Sequence, residues 1–66
     1  MTLLVNGDPR DAMDGSSVQQ LLETLGIRGE AVAVEINREV VPRAERGERV
    51  LTEGDRVEIV TFVGGG

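Results

Sequence analysis

The 66-residue sequence contains no cysteine, histidine, tyrosine, tryptophan or lysine, and one aromatic residue, Phe62. Each absence excludes a chemistry. Without Cys there are no disulfides and no thiolate metal ligands, so the usual staples of a small domain are missing and a reducing cytoplasm suits the chain. Without His, Cys, Lys or Tyr, the candidate catalytic groups reduce to carboxylates, Ser and Thr, and Ser16 and Ser17 have no evident base to activate them. Paired-carboxylate hydrolysis needs a deep cleft, and a chain this short buries only about 60% of its unfolded surface. No apolar run is long enough to cross a bilayer, and Met1 to Asp8 lacks the basic start and apolar stretch of a signal segment. Seven Arg against twelve Asp plus Glu leave a net charge of -5. That charge repels phosphate backbones and anionic lipids and favours a basic protein partner, so neither nucleic acid nor a membrane is expected as a ligand.

Asp8, Asp11 and Asp14 recur at a spacing of three, but they lack the alternating oxygen ligands and distant Glu of a calcium loop, and are expected to be solvated turn residues. Gly26 and Gly29 flank a turn, and Gly64 to Gly66 precede no helix whose amides could hold a phosphate. The chain therefore reads as something acted upon, with no metal, no bound cofactor and no catalytic residue of its own.

What is present is concentrated at the two ends of the polarity scale, and it is ordered. The sequence closes on Gly64-Gly65-Gly66 directly after the apolar run Val57 to Val63. Glycine lets a backbone thread a narrow channel without steric penalty, and three extended residues span about 10 Å. A free carboxylate on such an end suits insertion into another protein's active site; a frayed terminus of small residues is the alternative that the tail alone leaves open.

Thr2-Leu3-Leu4-Val5 predicts a strand ending at Asn6-Gly7-Asp8, a strong hairpin signal, with Pro9 to Met13 pairing back on it. Ser16 with Gln19 and Ser17 with Gln20 form two overlapping capping-box patterns ahead of Val18, Leu21, Leu22 and Leu25, so a helix of about two turns is expected, closed at Gly26. Val32, Val34 and Ile36 alternate as a half-buried strand, turn at Asn37-Arg38-Glu39 and return through Val40-Val41, which Pro42 ends. Arg43 to Arg49 is polar and irregular, with room for one helical turn. Val50 and Leu51 are expected in the core, and Arg56 to Val63 forms the last strand after Glu53-Gly54-Asp55.

One small mixed sheet with a single helix across one face buries these elements economically, with the first and last strands parallel neighbours: an α+β, β-grasp arrangement of residues 1-63 followed by a flexible tail, 64-66. Leu3, Val5, Val57 and Ile59 then face the helix together with Val34 and Ile36. Period two puts Leu4, Val60 and Phe62 on the opposite face, where no element remains to cover them. They form a candidate docking patch. A bulge or shifted register that buries Phe62 is the competing arrangement.

The Val5-Asn6-Gly7 opening, the Ile36-Asn37-Arg38-Glu39-Val40-Val41-Pro42-Arg43 segment, the Glu53-Gly54-Asp55-Arg56-Val57-Glu58 turn and strand, and the Phe62-Val63-Gly64-Gly65-Gly66 ending resemble the ThiS family of thiamin-biosynthesis sulfur carriers over the whole chain. The resemblance implies a ubiquitin-like β-grasp fold, adenylation of the terminal glycine at the expense of ATP by a ThiF-like partner, and conversion to a thiocarboxylate; because the chain has no Cys, the incoming sulfur must come from a persulfide donor or from sulfide held elsewhere. It further implies delivery of that sulfur to a ThiG-like thiazole synthase. Gly66 would be the modified residue, Gly64 and Gly65 its tail, in a cytoplasmic carrier that is monomeric when free. A terminal Gly-Gly is shared with molybdopterin-synthase small subunits, and a plain β-grasp interaction module is the third possibility.

Overall fold

The chain first reverses at Asn6-Gly7, where both φ angles are positive, 49° and 87°. Such a two-residue turn matches the twist of the strands it joins, here β1 (Thr2–Val5) and β2 (Asp8–Asp11), antiparallel with Val5 opposite Asp8. A computed structural model describes residues 1–62; Val63 and the expected tail Gly64, Gly65 and Gly66 lie outside the described residues. β2 starts and stops earlier than Pro9 to Met13. The tight turn delivers Asp8 straight into the ladder, and the Met13 carbonyl accepts both the N–H and the hydroxyl of Ser16, which draws the chain into a turn.

Of the two capping patterns, the second forms. Ser17 Oγ accepts the Gln20 N–H (3.1 Å) and the Gln20 side chain accepts the Ser17 N–H (2.9 Å), so two orphan amides at the start of α1 (Val18–Thr24) are satisfied reciprocally. At the other end Gly26 takes φ +71°, its N–H bonding the Glu23 carbonyl and that of Ile27 the Leu22 carbonyl. This pair is the Schellman closure. A helix of seven residues is too short to persist alone in water; it is held by burying Val18, Leu21 and Leu22 against the sheet.

A 3-10 turn at Gly29–Ala31 leads into β3 (Val32–Ile36), and a second turn with two positive φ angles, at Asn37 and Arg38, leads into β4 (Glu39–Val40). Because this reversal takes two residues and not three, β4 begins one residue before the expected Val40-Val41. Val41 still donates to the Val34 carbonyl, and its side chain is buried. Within the polar segment a 3-10 turn spans Arg43–Glu45, and Arg46 behind it is buried, donating to the carbonyls of Gly29 (2.7 Å) and Val32 (2.9 Å). Nothing in the sequence marks that inward Arg.

The last strand, β5 (Arg56–Thr61), ends short of the expected Val63, and it joins the two hairpins into a five-stranded sheet of order β2-β1-β5-β3-β4. β1 and β5 run parallel at the centre and all other pairs are antiparallel. With α1 across one face, this is the β-grasp fold. Leu3, Val5, Val57 and Ile59 meet Val18, Leu21 and Leu22 as the alternation requires, and Val32, Val34, Ile36, Val41 and Leu51 complete the core. Val50 does not join it. Its bridge to Ser17, with the Leu51 N–H on the Ser16 carbonyl, alternates the pair so that Leu51 points inward and Val50 remains exposed.

Candidate functional site

The tail leaves from the end of β5, so the functional site is built around that strand. β5 is pinned on both sides close to its end. On one side the Phe62 N–H bonds the Ala31 carbonyl (2.9 Å). On the other, Asn6, in a left-handed conformation, uses its side-chain amide as a short piece of strand: Oδ1 accepts the Ile59 N–H (2.8 Å) and Nδ2 donates to the Ile59 carbonyl (3.2 Å). Asn and Asp tolerate that conformation better than other side chains do.

The face of the sheet opposite α1 carries the predicted patch, and register decides who is in it. Val60 lies opposite Ala33, and Val40 is opposite Glu35, which is itself opposite Glu58. Val60 is 54% exposed, Phe62 59% and Val40 68%. A shallow groove of about 230 Å³ brings Phe62 together with Val40, Pro42 and Arg43. The apolar surface is thus Val60, Phe62, Val40 and Pro42. Leu4 is not part of it: half-buried, it pairs with Arg56 at the far end of β5. The four steps from Arg56 to Val60 put about 13 Å between its row and that of Val60, with Glu58 in between.

Two adjacent valines, Val40-Val41, carry no alternation that assigns either of them a face. The two-residue turn at Asn37-Arg38 is the signal that places Val40 outward, opposite Glu35. The charged rim lies beside Phe62. Glu30 accepts from Arg28 Nε (2.9 Å) with Arg43 at 3.9 Å, and its carboxyl is held below the ordinary value by its own backbone N–H first, then by Arg28, with a smaller contribution from Arg43. Asp8 and Asp11 are exposed on β2, while Asp14 pairs with the Met1 ammonium (3.1 Å). Among the described residues no group of three carboxylates is arranged to hold a metal ion, and no helix is long and apolar enough to cross a membrane.

The family model of the ThiS family matches residues 3–66, the glycine run included. The chain belongs to the ThiS family. The sulfur carrier protein ThiS of Escherichia coli is 30% identical over the full length of both chains. A ThiS crystal structure from Geobacter metallireducens superposes with a TM-score of 0.87 at 38% identity, again covering all of both chains. A thiazole synthase from Magnetococcus marinus is 46% identical over all 66 residues, and the chain spans 20% of the length of that relative. The ThiS-type sequence therefore occurs both as a small separate protein and as one-fifth of a much longer one.

Proposed function

We propose that the chain is a sulfur carrier for thiazole formation in thiamin biosynthesis, with Gly66 as the residue that carries the sulfur. The observation that carries this is the ThiS-family match running through residue 66. A carboxylate is a poor electrophile. An adenylating partner of the ThiF type first joins the Gly66 carboxylate to the α-phosphorus of ATP, releasing pyrophosphate. The outer sulfur of a persulfide donor then displaces AMP to give an acyl disulfide, and a second thiol of the partner or donor attacks the donor's sulfur, forming a disulfide and releasing the Gly66 thiocarboxylate. ATP binding and catalysis belong to the partner. The chain has no Cys to hold sulfur itself and contributes its end, its fold and its docking face.

A thiazole synthase of the ThiG type receives the sulfur, a pairing that the Magnetococcus marinus relative supports, since its thiazole synthase includes a ThiS-like region. Val60 and Phe62, together with Val40 and Pro42, form the surface offered to these enzymes, and the work takes place in the cytoplasm. Pyrophosphate release on incubation with the adenylating enzyme and ATP tests the reading. The intact chain should support it; removal of Gly65 and Gly66 should abolish it with the fold unchanged, and Gly65→Val should block it because a β-branched side chain stiffens and thickens the end. Undiminished release from the truncated chain would refute the role of the glycine end.

A further inference from the structure

The ladder arithmetic of β5 leaves one rung open. The Phe62 N–H bonds the Ala31 carbonyl and the Asn37 N–H bonds the Arg56 carbonyl, so residues 56, 58, 60 and 62 spend their main-chain groups on the β3 side. Those of Val57, Ile59 and Thr61 point the other way. The Val57 carbonyl is taken by the Asn6 N–H (2.8 Å), and both groups of Ile59 by the Asn6 side chain. There β1 has ended and Asn6-Gly7 turns away. Among the described residues, the N–H and C=O of Thr61 have no partner. Beside them lies a groove of about 380 Å³, floored by Leu25, Ile27 and Ile59 and flanked by Asn6 and Arg10.

We propose that this open edge at Thr61 is a strand-addition site, filled by an extended segment of the adenylating enzyme. The segment's main chain pairs with the Thr61 N–H and C=O, and its inward side chains rest on Leu25 and Ile27. This rests on the proposed function, in which an enzyme closes around Gly66. Gly66 lies four residues beyond Phe62, a reach of at most about 14 Å, so such an enzyme is brought to this edge. An unpaired strand edge recognises the main chain of whatever extended segment is laid against it. Pairing here would fix the direction in which the glycine end is presented. A second copy of the chain is disfavoured as the occupant, because each copy carries a net charge of -5.

Amide hydrogen exchange on the intact chain, free and in complex with its adenylating enzyme, is the direct test. The Thr61 amide should exchange freely alone and gain at least about a hundredfold protection in the complex; a Thr61 amide that still exchanges freely in a formed, productive complex overturns the inference and leaves the proposed function standing. Absence of any complex or adenylation overturns both. Thr61→Pro removes the donor at an edge position, where proline is tolerated, and should weaken binding about tenfold, the loss of roughly one hydrogen bond. Thr61→Val keeps the N–H and should bind like the parent. Equal binding by a folded Thr61→Pro chain would also overturn the inference.

Discussion

Asp55 and Arg46 are the two charged residues buried among the described residues, and they are stabilised in different ways. Burial alone would raise the Asp55 carboxyl, but the Thr52 N–H (2.9 Å), the Asn37 amide (3.0 Å), the Thr52 hydroxyl and the charge of Arg49 together outweigh it and hold the group below its ordinary value. A folded-state value below the unfolded one, about 3.9, means that Asp55 stabilises fully above that pH and progressively less as pH falls through the folded value. Urea unfolding between pH 7 and pH 3 should therefore show a steeper loss of stability in the parent than in Asp55→Asn; parallel curves would remove this carboxylate from the acid sensitivity. Phe62 makes the opposite prediction. Truncating a buried Phe costs about 3 to 5 kcal/mol, whereas Phe62→Ala, at 59% exposure, should cost less than about 1 kcal/mol and yet weaken enzyme binding. A large drop in its unfolding midpoint would show that Phe62 carries the fold and not the interface.

Elements were legible in the sequence wherever a local rule had one solution. The Asn6-Gly7 hairpin signal fixed β1 and its end, alternation fixed β3 and the inward face of β5, and the apolar spacing with Gly26 fixed the helix and its end. What the sequence left open were choices of one residue. Ser16 and Ser17 both begin a capping box, and only tertiary bridging to Val50 and Leu51 selects Ser17. Ser17→Ala should cost about 1 kcal/mol, measured by thermal unfolding, and Ser16→Ala a few tenths; the reverse order would contradict the capping assignment. In the same way, the two-residue turn at Asn37-Arg38 shifts β4 by one position and brings Val40 into the patch, while the bridge at Ser17 expels Val50 from the core. Arg46 was illegible because no short-range pattern signals a guanidinium whose partners, the Gly29 and Val32 carbonyls, lie 17 and 14 residues away.

At the scale of the molecule, the candidate site was legible in kind and only partly in detail. The uncovered sheet face follows from having one helix for a two-sided sheet, and Val60 and Phe62 follow from period two. Leu4 shares that face but stands at its other end, a separation that only the β1–β5 register reveals. The net charge of -5 acts over the whole surface: association with a basic adenylating enzyme should slow as salt rises from low to physiological ionic strength, since steering is screened over about 8 Å at 0.15 M. Stopped-flow rates that do not change with salt would remove steering from the encounter. The central claim, that Gly66 carries sulfur, is tested most directly by intact-mass spectrometry after incubation with the adenylating enzyme, ATP and a sulfur source. The expected result is a gain equal to the mass difference between sulfur and oxygen, mapped by fragmentation to Gly66; a chain that forms the adenylate's complex yet never acquires sulfur, or acquires it at any other residue, would contradict it.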